Sequence, residues 1–162
     1  MNIDQHINSE DLSGLIVRKM LLDDLEQVVA IDQASFSLPW PPRSFHFEVS
    51  NPISRCWVVE LNKKIAGMLV GWLMIDELHI ATIATHPDFR RQGIGKKLLI
   101  HALKSARDEG LIRSFLEVRK SNQAAIMMYK NLGFIEEGIR QEYYKDNHED
   151  AILMTLNDLS HL

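Results

Sequence analysis

The sequence predicts an α/β (α+β) domain with a mixed, mostly antiparallel central sheet flanked by helices. Three observations carry this expectation. β-type runs fill the stretch from Arg55 to Thr85. Helical spacing then alternates with a strand-like run, through Ile94 to Arg107, Phe115 to Val118 and Ala125 to Leu132. Two last β runs, Phe134 to Gly138 and Ala151 to Leu156, close as an antiparallel pair. Strands first and strand–helix alternation afterwards require both hairpin and crossover connections in one sheet.

Each element has a local reason. Leu15 to Arg18 reads as a short first strand. Asp23 or Asp24 can cap a helix that carries Leu25, Val28, Val29 and Ile31 on its apolar side. The run Phe36-Ser37-Leu38-Pro39-Trp40-Pro41-Pro42 cannot continue that helix and reads as a shaped loop, with a second short helix near Ser44 to Val49. Arg55 to Leu61 and Lys64 to Trp72 form a hairpin turning at Asn62-Lys63, and Asp76 to Thr85 is a third long β segment that ends in the turn His86-Pro87-Asp88. Ile94 to Arg107 is a helix with Leu98, Leu99, Ala102, Leu103 and Ala106 on one side, stopped by Gly110. Ser121 or Asn122 starts the last helix, and Gly133 closes it.

Length and composition narrow the function classes. At 162 residues and 46% hydrophobic the chain suits one domain, read as residues 15–158 behind a loose polar extension over 1–14. A net charge of −4, from 22 acidic and 18 basic residues, argues against a nucleic-acid partner. No apolar stretch reaches membrane-span length and no secretory signal is visible, so neither a membrane nor export is expected. The single cysteine, Cys56, reads as a small buried hydrophobe, and the chain suits a reducing, cytoplasmic compartment.

The run Arg90-Arg91-Gln92-Gly93-Ile94-Gly95-Lys96 stands between a strand and a helix. Two glycines let a ligand approach the backbone, and the first N–H groups of the helix, with its dipole, face outward without intrahelical partners. Such an end binds phosphate or pyrophosphate, helped here by Arg90, Arg91 and Lys96. The alternative is a tight glycine turn with solvated arginines. No Gly-Lys-Ser/Thr ending follows, and the third glycine of the dinucleotide fingerprint is missing.

The pattern Arg90-x-x-Gly93-x-Gly95 resembles the pyrophosphate loop of the GNAT superfamily of acetyl-CoA-dependent N-acetyltransferases. Asp76 to Ile80, Ile83 to Pro87, Leu116 to Asn122, Ala125 to Phe134, Arg140, Tyr143-Tyr144 and Glu149 to Ala151 resemble further family segments in the same order. Phe36, Pro39-Trp40 and Phe45 resemble the early substrate-side loop. Together these are similar to the ribosomal-protein-alanine N-acetyltransferase (RimI-type) branch, although Thr82 and Thr85 stand where that branch commonly has asparagine and valine.

The resemblance implies a single GNAT-like domain, acetyl-CoA as acetyl donor, no metal, and a protein N-terminus, such as that of a ribosomal protein, as acceptor. It implies a proton acceptor at Glu117 and a proton donor at Tyr129. It implies CoA contacts from the backbone of Ile83, Ala84 and Thr85, from Arg90 to Lys96 (Gln92, Gly93, Ile94 and Gly95 included), and from Asn122. Local sequence alone reads Glu117 as a solvent-facing strand residue, Tyr129 as core, Asn122 as a helix cap and the strand residues as ordinary ladder. His79 and His86 have no acids at metal-ligand spacing, and His79 reads as structural. Met127 and Met128 read as packing. A small-amine acetyltransferase and a non-catalytic acyl-CoA sensor are the competing readings; a sensor would need neither Glu117 nor Tyr129.

Overall fold

The computed structural model describes residues 12–162. The loose extension expected over residues 1–14 therefore lies outside the described residues as far as residue 11. Leu12–Gly14 form a 3-10 turn, and Leu12 packs against the core. Seven strands make one sheet: β1 Ile16–Lys19, β2 Ser54–Leu61, β3 Lys64–Met74, β4 Glu77–Thr85, β5 Arg113–Arg119, β6 Ile135–Arg140 and β7 Ala151–Leu156. Their order is β1-β2-β3-β4-β5-β7-β6. Only β4 and β5 run parallel among these neighbours. The closing pair forms as expected, with β7 inserted between β5 and β6.

Helices α1 Leu25–Ser35 and α2 Pro42–Ser50 cover one face, and α3 Ile94–Asp108 and α4 Gln123–Asn131 cover the other. Apolar side chains at helical spacing decide which side of α3 is inward: Leu98, Leu99, Ala102, Leu103 and Ala106 are all buried. Pro42 occupies the first turn of α2, where its missing N–H costs nothing. Asn62 and Lys63, at φ 50° and 66°, form the two-residue left-handed turn that matches the twist of the β2–β3 hairpin. Asp24 does not cap α1 with its side chain. Its carboxylate instead takes two hydrogen bonds from Arg18 and one from the Leu21 N–H. Cys56 packs against the α1–α2 core, and burial pushes its thiol up to about 12, so it stays an unreactive apolar side chain.

Two irregularities of β4 position the candidate site. Val70 of β3 faces Thr82 but Gly71 faces Ile80, so Ala81 bulges without an opposite residue. The extra residue shifts the side-chain alternation by one. Leu78 and Ile80 face the α3–α4 core before it, whereas afterwards Ile83 faces that core and Ala84 the α1–α2 core. The parallel pairing with β5 also stops early, running only from Glu77 opposite Arg113 to Ile80 opposite Leu116. Beyond that point no ladder joins the two strands. Among the described residues, no helix is long and apolar enough to cross a membrane.

Candidate active site

Where β4 and β5 part, a cleft of about 380 Å³ opens through the sheet. The end of α1 and the loop after it supply Asp32, Phe36, Leu38 and Trp40 on one face. Ile80 to Ile83 of β4 and Leu116 to Arg119 of β5 form its sides, and Asn122 and Tyr129 reach it from the α4 face. The β4 edge along Ala81 to Thr85 keeps backbone groups free of any β5 ladder, as an unpaired strand edge does.

The structure brings Glu117 and Tyr129 to the same cleft, as the sequence predicts, from a strand and a helix on different sides. Glu117 is not solvent-facing; its side chain is 11% exposed. Oε2 lies 2.8 Å from His79 Nε2, and Oε1 lies 3.5 Å from Arg140 Nη2. The hydrogen bond from the His79 imidazole, aided by the Arg140 guanidinium, outweighs burial and holds the carboxyl below its ordinary value of 4.5. Glu117 is therefore ionised at neutral pH. His79 is fixed in turn: Phe115 stacks on its ring at 4.2 Å, and Trp72 meets it edge-on at 5.4 Å. Trp72 donates to Glu48 from Nε1 and stacks on Trp40, so the aromatic packing ties α2 to the Glu117–His79 pair.

Tyr129 is 5% exposed and tilts against Phe134. Burial raises its phenol well above its ordinary value of 10, so the hydroxyl keeps its proton. No hydrogen bond holds that hydroxyl among the described residues. Asn122 caps α4 by accepting from the Ala125 N–H at 3.2 Å while lining the cleft, so the cap and the site coincide. Tyr144 lines the wall near Glu117, with the Arg119 guanidinium 3.9 Å from its ring centre. Asp146 binds both Ser37 and Arg119 and so ties the α1–α2 loop to the β6–β7 loop.

At the end of β4, Arg91 and Gly93 take left-handed φ values of 62° and 77°, which curl the loop around Gln92. The first N–H groups of α3 then point outward without intrahelical partners. Nothing lies within 4 Å of a Cβ built on Gly93, and one on Gly95 would make only ordinary contacts with Thr85 and Met128. The fold does not need the bareness of Gly95, and the bare helix end leaves room for a pyrophosphate to lie against its backbone. The loop thus fits CoA by its own geometry. Ile83 lines the cleft, and Ala84 and Thr85 continue its strand toward the loop. Ile94 buries its side chain in the core and presents only backbone there. Arg91 and Lys96 are exposed, but Arg90 turns back, donating to the Thr85 carbonyl and the Ser35 hydroxyl.

Sequence reasoning missed the His79–Glu117 bond, the Asp146 tie and the buried Asp32. Phe115 and Glu117 share one face of β5 by strand alternation, but only the parallel pairing with β4 sets that face beside His79. Met127 is 59% exposed, not packed, whereas Met128 packs. Among the described residues, no three His, Cys, Asp or Glu side chains cluster to hold a metal.

Residues 25–134 match the model of the acetyltransferase (GNAT) family; the chain belongs to that family and is an N-acetyltransferase. Within it, the chain is similar to the ribosomal protein bS18-alanine N-acetyltransferase of Escherichia coli (strain K12), at 39% identity over 137 residues, 82% of this chain and 90% of that protein. It is also similar to the N-alpha-acetyltransferase RimI of Mycobacterium tuberculosis, at 34% identity over 124 residues, 72% of this chain and 74% of that protein. The crystal structure of the E. coli ribosomal-protein-S18-alanine N-acetyltransferase superposes with a TM-score of 0.82 at 34% identity, covering 88% and 92% of the two chains.

Proposed function

We propose that the chain transfers the acetyl group of acetyl-CoA to the N-terminal α-amine of a protein, and that the acceptor is a ribosomal protein that begins with alanine. The observation that carries this reading is the cleft through the sheet, with an ionised carboxylate on the α1–α2 side and a protonated phenol on the α4 side. The names of the relatives support the choice of acceptor, as do the aromatic and apolar walls from Phe36, Leu38, Trp40 and Tyr144, which suit the first residues of a peptide.

Bound acetyl-CoA supplies an activated acetyl thioester. Glu117, oriented by His79, takes the proton of the incoming ammonium directly or through one water, since a protonated amine has no lone pair for attack. Tyr129 gives its proton to the departing sulfur and is restored by the second proton that the nitrogen loses as the amide forms, carried by water, while the proton on Glu117 passes to solvent. The walls of the cleft hold amine and thioester side by side, which removes most of the entropic barrier to a two-substrate reaction. The backbone of Arg91 to Lys96 and the free β4 edge hold the donor.

Two measurements test this. Incubating the protein with acetyl-CoA and a panel of hexapeptides, polyamines and aminoglycosides should give fastest thiol release with peptides that have a small first residue. Faster reaction of a polyamine than of every peptide would overturn the acceptor assignment. Gly95→Val should fold normally and yet bind CoA on the order of 10- to 100-fold more weakly by calorimetry, since charge-assisted backbone bonds to the pyrophosphate are blocked. Unchanged affinity would remove the loop from the donor site.

A further inference from the structure

We infer that Asp32 is the ammonium-binding group of the acceptor site, a reading that rests on the amine-acetylating function proposed above. Asp32 sits in the last turns of α1, lines the cleft and is only 1% exposed. Its Oδ2 accepts the Trp40 N–H at 2.8 Å. Its Oδ1 is buried and has no hydrogen-bond partner, and among the described residues no cation pairs with the group. Arg119, the arginine in the cleft lining, is committed to Asp146 and Glu149, and Arg90, which bonds Ser35 in the same helix, also donates to the Thr85 carbonyl.

A buried carboxyl with one empty oxygen is costly to ionise unless something completes it, and burial pushes Asp32 above its ordinary value of 3.8 against the bond from the Trp40 N–H, so its charged form calls for a cation. One bond to Trp40 explains only half of the group, because an asparagine would shape the loop equally well. A primary ammonium matches what is missing. It is small and cationic, and its several N–H donors can reach Asp32 while another proton faces Glu117 on β5. The two carboxylates then divide the work. Asp32 holds the amine in its charged form, and Glu117 removes the proton that must leave before attack. A hydroxyl or amide in the same place would leave the Asp32 charge uncompensated, so the site selects free amines.

The test measures binding without turnover. In the presence of CoA, calorimetry compares a hexapeptide beginning with alanine against the same peptide beginning with lactic acid, in which a hydroxyl replaces the ammonium. The native chain should bind the alanyl peptide about 10- to 100-fold more tightly, the range for a charge-assisted bond in a buried site. In Asp32→Asn, which keeps an acceptor for the Trp40 N–H, that preference should collapse to within a few-fold while CoA affinity is unchanged. A preference retained in Asp32→Asn overturns the inference and leaves the proposed function standing. If the native chain binds neither peptide, the peptide acceptor falls, and putrescine replaces the peptides: lost putrescine affinity in Asp32→Asn supports the inference, and retained affinity overturns it. Should Asp32→Asn fail to fold, equal affinity of the native chain for the two peptides overturns it.

Discussion

Glu117→Gln is expected to lower turnover by ~100- to 10,000-fold, the usual cost of losing one general base. Glutamine keeps the size of the side chain and an oxygen that can accept from His79, so the variant should fold and bind acetyl-CoA as the native chain does. What it loses is the negative charge and the lone pair that takes the proton. Because His79 and Arg140 hold the native carboxyl below 4.5, Glu117 stays ionised through the whole neutral range and adds no titration of its own to the rate between about pH 6 and 9. The variant should behave differently. An N-terminal amine titrates near pH ~8, so raising the pH delivers more of it already deprotonated and should restore part of the lost rate. Steady-state thiol release from pH 6 to 9 checks both points. Near-native turnover across that range, with CoA release shown not to limit the rate, would remove Glu117 from the reaction.

Tyr129→Phe is expected to cost a similar ~100- to 10,000-fold in turnover, with no loss of stability. The ring packs against Phe134, and phenylalanine keeps that contact. The hydroxyl has no protein partner, so its removal leaves nothing buried and unpaired. A purely structural tyrosine would therefore give a silent substitution or a slightly raised Tm with full activity. A proton donor gives the same Tm with the activity gone. The raised pKa fits this role, since the phenol remains protonated at every pH the protein would meet. Thermal unfolding and single-turnover kinetics on one preparation separate the two. The loss should shrink if the thioester carries a better leaving group, which needs less help from an acid.

Much of this was legible in the sequence. Apolar spacing located α3 and its buried side, the glycines located the loop that leads into it, and the order of motifs singled out Glu117 and Tyr129, which line one cleft. What stayed hidden depends on contacts between distant segments. Ala81 has no local feature that marks it as the bulged residue, because a bulge is a property of the β3–β4 pairing and not of one strand. His79 looked structural because its partner lies 38 positions away and becomes a neighbour only through parallel pairing. Asp32 was hidden by the ordinary look of an aspartate in an amphipathic helix. Arg90 reads as a free cation in the loop, but α1 ends close enough for its guanidinium to bond Ser35 instead. In each case local composition described the residue correctly and the crossing of chains decided its partner.

The early end of the β4–β5 ladder also bears on kinetic order. The gap it leaves draws side chains from both faces of the sheet, so under the proposed function donor and acceptor would approach one chamber from opposite sides. Neither substrate must leave for the other to enter. The one cysteine is outside that chamber, with its thiol held protonated, and offers no place to store an acyl group between half-reactions. Under the proposed function the expected route is a ternary complex, in which the acetyl group moves once, directly from sulfur to nitrogen.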